Sequence, residues 1–464
     1  MKYTIEKENN TKVQWTQWIA GIGVTLLLLL VGMIEIWSSP YIENLTSPES
    51  PIPMTENQAS WIVSLLSVGN LIGTVCGSIA VNYLGSKTAI VVTSLTITLS
   101  WLFTLVANRR EWLYAARLLG GIGMGKANSC FSLYLGEIAD PTIRGALVAL
   151  AVSGLSIGSL MMSIMGARLS LEMSALICLI LSLLLIITFI WLPKSPDYFI
   201  KIGDDDKARA SILWYHRDCD VESELTALKT FIEKNKSLPF ADVLKQFKIP
   251  YIMRAQTLTS MLFVYFLFSQ SIVSAYMETI LQDAQVTVID PSVIVIIVTA
   301  TGLVGSLVSM YLIDKFGRRI LMIVSSVGLT ISLICLGVQY QLLDAGYDPT
   351  NLQALPIFAV LLYETSSCIG VIPVPSTVLS EIFLPHVKCV ASCIANIVGA
   401  TASIISTSTY QPLINLITQK YVFYLHALIM TTAVPYTYFR MPETKCKSLQ
   451  QIQEELVGRT EQVV

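Results

Sequence analysis

The chain has 464 residues, of which 53% are hydrophobic and only 13% charged, with a formal net charge of −2. Soluble proteins carry about 25% charged residues, and the little charge present here is gathered into a few links between apolar runs. That balance excludes a large soluble helical protein and points to a polytopic membrane protein.

In chain order, the apolar runs fall near residues 17–37, 60–81, 88–107, 112–134, 146–166 and 172–192. After a polar gap they resume near 255–279, 291–312, 320–341, 354–379, 389–410 and 420–440. At about 1.5 Å per residue, roughly 20 residues cross a hydrocarbon core of about 30 Å, so twelve helical spans are expected. Barrel strands would alternate where these runs are continuously apolar. The first run is too long, and starts too far behind a polar tail, to be a cleaved leader. The expected organisation is a tail (1–16), a six-helix bundle (17–192), linker helices (193–254), a second six-helix bundle (255–440) and a second tail (441–464). Within the linker, Val221, Leu225, Leu228 and Phe231 recur at helical spacing and give an amphipathic face.

Lys and Arg concentrate on the side of both tails and the linker, which places both termini in the cytoplasm of a multi-pass cell-membrane protein. Asn44-Leu45-Thr46 then lies in the first outer loop as an accessible glycosylation sequon. The cysteines show no metal or redox spacing, and His216, His386 and His426 are isolated, so neither a metal site nor a cofactor is expected.

Two phrases occur twice. Gly136-Glu137-Ile138 followed by Arg144 returns as Ser380-Glu381-Ile382 followed by Lys388, each with an acid seven residues before a base. Asn82-Tyr83-Leu84-Gly85-Ser86-Lys87 is a weaker echo of Asp314-Lys315-Phe316-Gly317-Arg318-Arg319. Repetition at equivalent places marks two parallel repeats facing each other across a central path. Glu137, Arg144, Glu381 and Lys388, with Asp314, Arg318 and Arg319, are therefore expected to gate the cytoplasmic mouth. Lys87 is the ionic member on the other side, so the gate should be electrostatically unequal.

Arg117, counted with the gating residues and expected to snorkel to the outer surface, opens a glycine track in which Gly121 and Gly125 permit close helix contact. Lys126, nearer mid-span, faces the path or pairs with an acid such as Glu35. Glu35 is the first candidate for proton coupling, or an interfacial cap, and Glu278 and Glu364 are further membrane acids. The seventh span offers Tyr265, Ser269, Gln270, Ser271 and Tyr276 to a path for a neutral polar solute. In the tenth, Pro373 and Pro375 interrupt the helix.

Trp37-Ser38-Ser39-Pro40, Asn57 to Trp61, Tyr134 to Ala139 with Arg144-Gly145, Asp314 to Arg319 and Pro442 to Leu449 together carry a resemblance to a known family. The chain resembles the sugar-porter branch of the major facilitator superfamily, especially insect facilitated trehalose and hexose transporters. The resemblance implies an all-α major facilitator fold and facilitative, non-enzymatic movement of a trehalose-like or hexose-like solute. Several sugar-contact positions depart from the family pattern: Val152 stands for a glutamine, and Tyr265 and Phe266 for two more. Ser376 stands for a tryptophan, Gly399-Ala400 for Asn-Trp, and the Pro-Glu-Ser-Pro-Arg signature is Pro193-Lys194-Ser195-Pro196-Asp197. Proton-coupled symport, a non-sugar solute and a non-transporting receptor are the alternative functions. Expected partners are a small neutral solute and membrane lipid, with no nucleic acid; the sequence leaves the oligomeric state open, a monomer being one option.

Overall fold

The computed structural model describes residues 15–47, 50–140, 143–216, 220–234, 245–383 and 385–445, apart from the side chains at 231–234, 314, 385, 386 and 389. The expectations for Phe231, Asp314 and His386 lie outside the described residues.

Helix α1 (Trp15–Ile36) turns at Trp37 into α2 (Ser38–Thr46). There follow α3 (Glu56–Leu84), α4 (Ser86–Leu105), α5 (Arg110–Ile138), α6 (Arg144–Arg168) and α7 (Leu171–Trp191). The linker forms α8 (Pro196–Lys201), α9 (Asp205–Tyr215) and α10 (Val221–Lys234). The second half comprises α11 (Pro250–Asp283), α12 (Pro291–Phe316), α13 (Arg318–Asp344), α14 (Ala354–Ser366), α15 (Pro373–Ile382), α16 (Pro385–Ile417) and α17 (Gln419–Arg440). By length and apolarity, 10 described helical segments can cross a membrane, with α1–α2 and α14–α15 each counting as one. Two more, α5 with 29 residues and α17 with 22, are of spanning length but more polar. Together these give the twelve spans expected.

Local chemistry sets the ends of these helices. Thr55 accepts from the backbone of Gln58 while the Gln58 side chain reaches back, a capping box that starts α3. Ser170 caps α7 and Asp290 caps α12. Gly85 (φ 83°) and Gly317 (φ 90°) make the turns into α4 and α13 in a conformation that other residues resist. The loop expected to carry the sequon is in fact helical as α2, whose first turn accommodates Pro40. Asn44 is exposed on that helix and donates to Pro40 O at 3.5 Å.

The tenth span is interrupted as its prolines require. Backbone Ser367–Val371 widens to a π-helical turn before Pro373 restarts the helix. Ser309 Oγ donates to Ile369 O at 2.8 Å and occupies a carbonyl of that turn.

Buried apolar residues form one core within each half. The first runs from Ala20 to Leu192 and takes in Tyr215 of the linker. The second runs from Ile252 to Met441 and also takes in Ile42, Ala59 and Val63 of the first half. In the linker, Ala208, Ile212 and Leu225 make a small cluster joined by Val221 and Leu228, the amphipathic face read from the sequence. The glycine track of α5 is pressed against α3. A Cβ on Gly121 would stand 2.2 Å from Leu66 O, and one on Gly125 2.2 Å from Asn70 O.

Candidate functional site

The two halves meet along a seam of short polar side chains. At mid-depth Ser403 Oγ of α16 lies 2.8 Å from Ser67 Oγ of α3 and 2.5 Å from Ser271 Oγ of α11. Ser156 Oγ of α6 donates to Ser306 Oγ of α12 at 3.3 Å. Towards the face opposite the linker, Glu278 N of α11 donates to Ser39 Oγ at 3.3 Å and Gln411 Nε2 donates to Glu56 Oε2 at 2.7 Å. That far face is thus held together. Ser67 and Ser403 escaped the sequence reading because a single serine in an apolar helix usually bonds its own backbone.

The candidate path residues divide. Ser271 belongs to the seam, and Gln270 is half-buried beside it, with Nε2 donating to Ser274 Oγ at 2.8 Å. Its Oε1 is buried without a partner. Tyr265 turns into its own half, its hydroxyl 3.1 Å from Thr432 Oγ1 and its ring against Tyr436. Phe266, half-buried, lies edge-on to Phe263. Ser269 donates to Tyr265 O and its carbonyl accepts from Tyr363 OH at 2.7 Å. Tyr276 is buried against Tyr410 with ring centroids 4.8 Å apart. Gly399 and Ala400 are buried, and a Cβ on Gly399 would meet Leu267 Cδ1 at 2.9 Å, so this segment serves the close contact of α16 with α11. Val152 is half-buried and Ser376 exposed. A small void lined by Ser269, Tyr410, Phe423 and His426 lies inside the second half and not in the seam.

Two acids face one another from opposite halves. Glu35 of α1 and Glu364 of α14 are close enough for their charges to interact. Cys368 Sγ donates to Glu364 Oε1 at 3.6 Å, and Gly302 leaves room for that carboxylate. None of the described ion pairs reaches either acid. Lys126 donates to Thr96 Oγ1 at 3.1 Å, not to Glu35. Arg117 is buried within the first half, where Nη1 donates to Ile34 O at 2.7 Å and Nε to Ile62 O at 3.4 Å. Its guanidinium also lies over the Trp37 ring at 5.1 Å, bracing the bend between α1 and α2.

At the linker face the repeated phrases form related clusters. In the second half Arg318 Nη2 pairs with Glu381 Oε1 at 2.9 Å. Glu443 accepts from the backbone N–H groups of Arg318 (3.0 Å) and Arg319 (3.1 Å), a carboxylate cap on α13. Arg319 lies over Tyr438 at 4.9 Å, and Lys388 is within reach of the charge of Glu381. In the first half Ser86 Oγ donates to Glu137, with no cation in the pair. Arg144 Nη2 donates to Ala139 O at 3.1 Å. Lys194 lies 3.9 Å over the Tyr198 ring, and that ring rests on Gly85 where Glu443 rests on Gly317 in the second half. Lys87 and Lys194 are near enough to repel. Burial, and next to it the charge of Glu137, pushes the Asp197 carboxyl up to about 6. These contacts each lie within one half, whereas the sequence reading allowed for contacts across the mouth.

Two bundles of repeated plan, joined by a polar seam and a helical linker, define an all-α major facilitator fold. The xylose transporter XylE from E. coli in its inward-open conformation superposes with a TM-score of 0.77 at 19% identity, over 95% of this chain and 99% of that one. The XylE proton:xylose symporter bound to 6-bromo-6-deoxy-D-glucose gives 0.75 over the same shares of the two chains, again at 19% identity. Residues 5–456 match the model of the "Sugar (and other) transporter" family, and the chain belongs to that family. The facilitated trehalose transporter Tret1 of Polypedilum vanderplanki is 28% identical over 451 residues, 96% of this chain and 89% of the relative. Tret1 of Aedes aegypti is 27% identical over 452 residues. The chain spans about half the length of that and several similar relatives, 56% in the Aedes case.

Proposed function

We propose that this protein carries a small neutral solute of the sugar class across a membrane by alternating access, without covalent chemistry. The observation that carries this reading is the hydroxyl seam of Ser67, Ser271 and Ser403, with Gln270 beside it. These groups can exchange bonds between the halves for bonds to a polyol. The family match and the trehalose-transporter relatives support a sugar. In this reading the linker face is cytoplasmic, as its basic residues favour, and the far face is the closed outer mouth. Asn44 on α2 then becomes an outer glycosylation site. The tails, bundles and linker read from the sequence are retained as its working division.

The juxtaposition of Glu35 and Glu364 favours a second reading, proton-coupled symport of the same solute. Two carboxylates from opposing halves approach most readily when one holds a proton. Uptake into proteoliposomes across trehalose, hexoses and polyols, with and without a proton gradient, tests both. Saturable sugar uptake is expected, and none in folded protein would sink the sugar assignment. Gradient dependence lost in Glu35→Gln supports symport, whereas gradient-independent uptake supports facilitation.

A further inference from the structure

We propose that the outer mouth holds a proton-binding site built by both halves and centred on Glu278, so that closing this mouth takes up a proton from outside. The inference rests on the alternating-access reading above. Glu278 is only 7% exposed, although it sits at the seam. Its backbone N–H donates to Ser39 of the other half, and its carboxyl Oε2 is buried without a partner. Two residues earlier, at Tyr276, α11 leaves helical geometry (φ −119°, ψ 18°), which provides a hinge for the segment that carries the acid.

The groups around it are acids. Glu43 on α2 and Asp290 at the start of α12 both bear on Glu278. Asp283, on the same helix, senses Glu56 and Glu43. From α16 come Tyr410, against Tyr276, and Gln411, which holds Glu56. From α17 comes Gln419, donating to Asp283 Oδ2 at 3.1 Å. Basic residues with described ion pairs on this face are engaged elsewhere, Arg110 with Glu111 and Lys420 with Asp344. Among the described residues no group of side chains could hold a metal ion.

A buried carboxyl beside the more exposed acids Glu43 and Asp290, with no ion pair among the described residues and one unbonded oxygen, fits this seam as the neutral acid. When α2 and the end of α11 part, water reaches Glu278 and it ionises. The two states of the mouth therefore differ by one proton, and the ratio of open to closed rises by up to about tenfold per pH unit where the states differ in protonation.

Fluorophores introduced as non-natural residues at Met173 and Val288, both exposed on the outer face of opposite halves, report the opening. Energy transfer is read in proteoliposomes between external pH 5 and 9, without any solute. The wild type should open as pH rises, with Glu278→Gln closed and insensitive across the range. Glu43→Gln, at a partly exposed site, should move the midpoint to lower pH and guards against a misfolded Glu278 variant. An unchanged pH response in Glu278→Gln, a wild type that does not respond, or an unmoved midpoint in Glu43→Gln would overturn the proposal. Failure of sugar uptake with this response intact would count against the cargo and leave the proton site standing.

Discussion

The two clusters at the linker face share a plan and differ in chemistry. Both turn at a left-handed glycine, Gly85 or Gly317, and both bring a glutamate from the next repeated phrase to the helix that follows. In the second half the glutamate meets a guanidinium and the helix start is covered by Glu443. In the first half the described partner of the glutamate is a hydroxyl, and the Tyr198 ring, not a carboxylate, rests on the turning glycine. An ion pair that is largely withdrawn from solvent is costly to break singly, whereas a hydroxyl bonded to a carboxylate is a softer restraint. The second half should therefore hold its linker face rigidly and the first half should yield.

Arg318→Glu should have the largest effect, because it removes the partner of Glu381 and sets two acids together. A loss of about 2–4 kcal/mol is expected in thermal or denaturant unfolding of the purified protein. Glu443→Ala comes next, uncapping α13 at a cost of about 1–2 kcal/mol. Lys194→Glu, made in parallel, should instead stabilise the first half by about 0.5–1 kcal/mol.

Asp197 gives the comparison a pH dependence. Its carboxyl titrates near 6, above the ordinary aspartate value, so the folded state binds the extra proton between about pH 4 and 6. Its stabilising contribution is present below that window and is lost as pH rises through it. Asp197→Asn should flatten this slope and raise stability at pH 7 by about 1 kcal/mol after solvent screening. Melting curves collected from pH 4 to 8 are the check. Tyr83→Ala marks the small end. The side chain is 82% exposed, and a change within about 0.5 kcal/mol is expected, with solute cycling close to wild type and far above that of Arg318→Glu.

Much of this was legible in the sequence. The spans, the proline break at Pro373 and the unequal charge of the two repeated clusters follow from composition, from proline's missing N–H and from counting charges in each repeat. The role of Arg117 as an internal brace was not legible, since only the fold brings Ile34 O and Ile62 O to its guanidinium. Tyr265 turns into its own bundle because facing direction depends on how α11 packs against its neighbours, which one helix's periodicity does not set. The Ser67, Ser271 and Ser403 bridge joins three distant helices, and each serine alone carries no signal.

The inequality of the two linker-face clusters is tested most directly by neutralising each repeated glutamate. Unfolding stability of Glu381→Gln and Glu137→Gln should be compared at pH 7 under identical conditions. Glu381→Gln removes the carboxylate charge that Arg318 Nη2 meets at 2.9 Å and should cost about 2 kcal/mol or more. Glu137→Gln can still accept from Ser86 and relieves Asp197, so it should cost less than about 0.5 kcal/mol or stabilise slightly. Equal losses in the two variants, or a larger one at Glu137, would contradict the account.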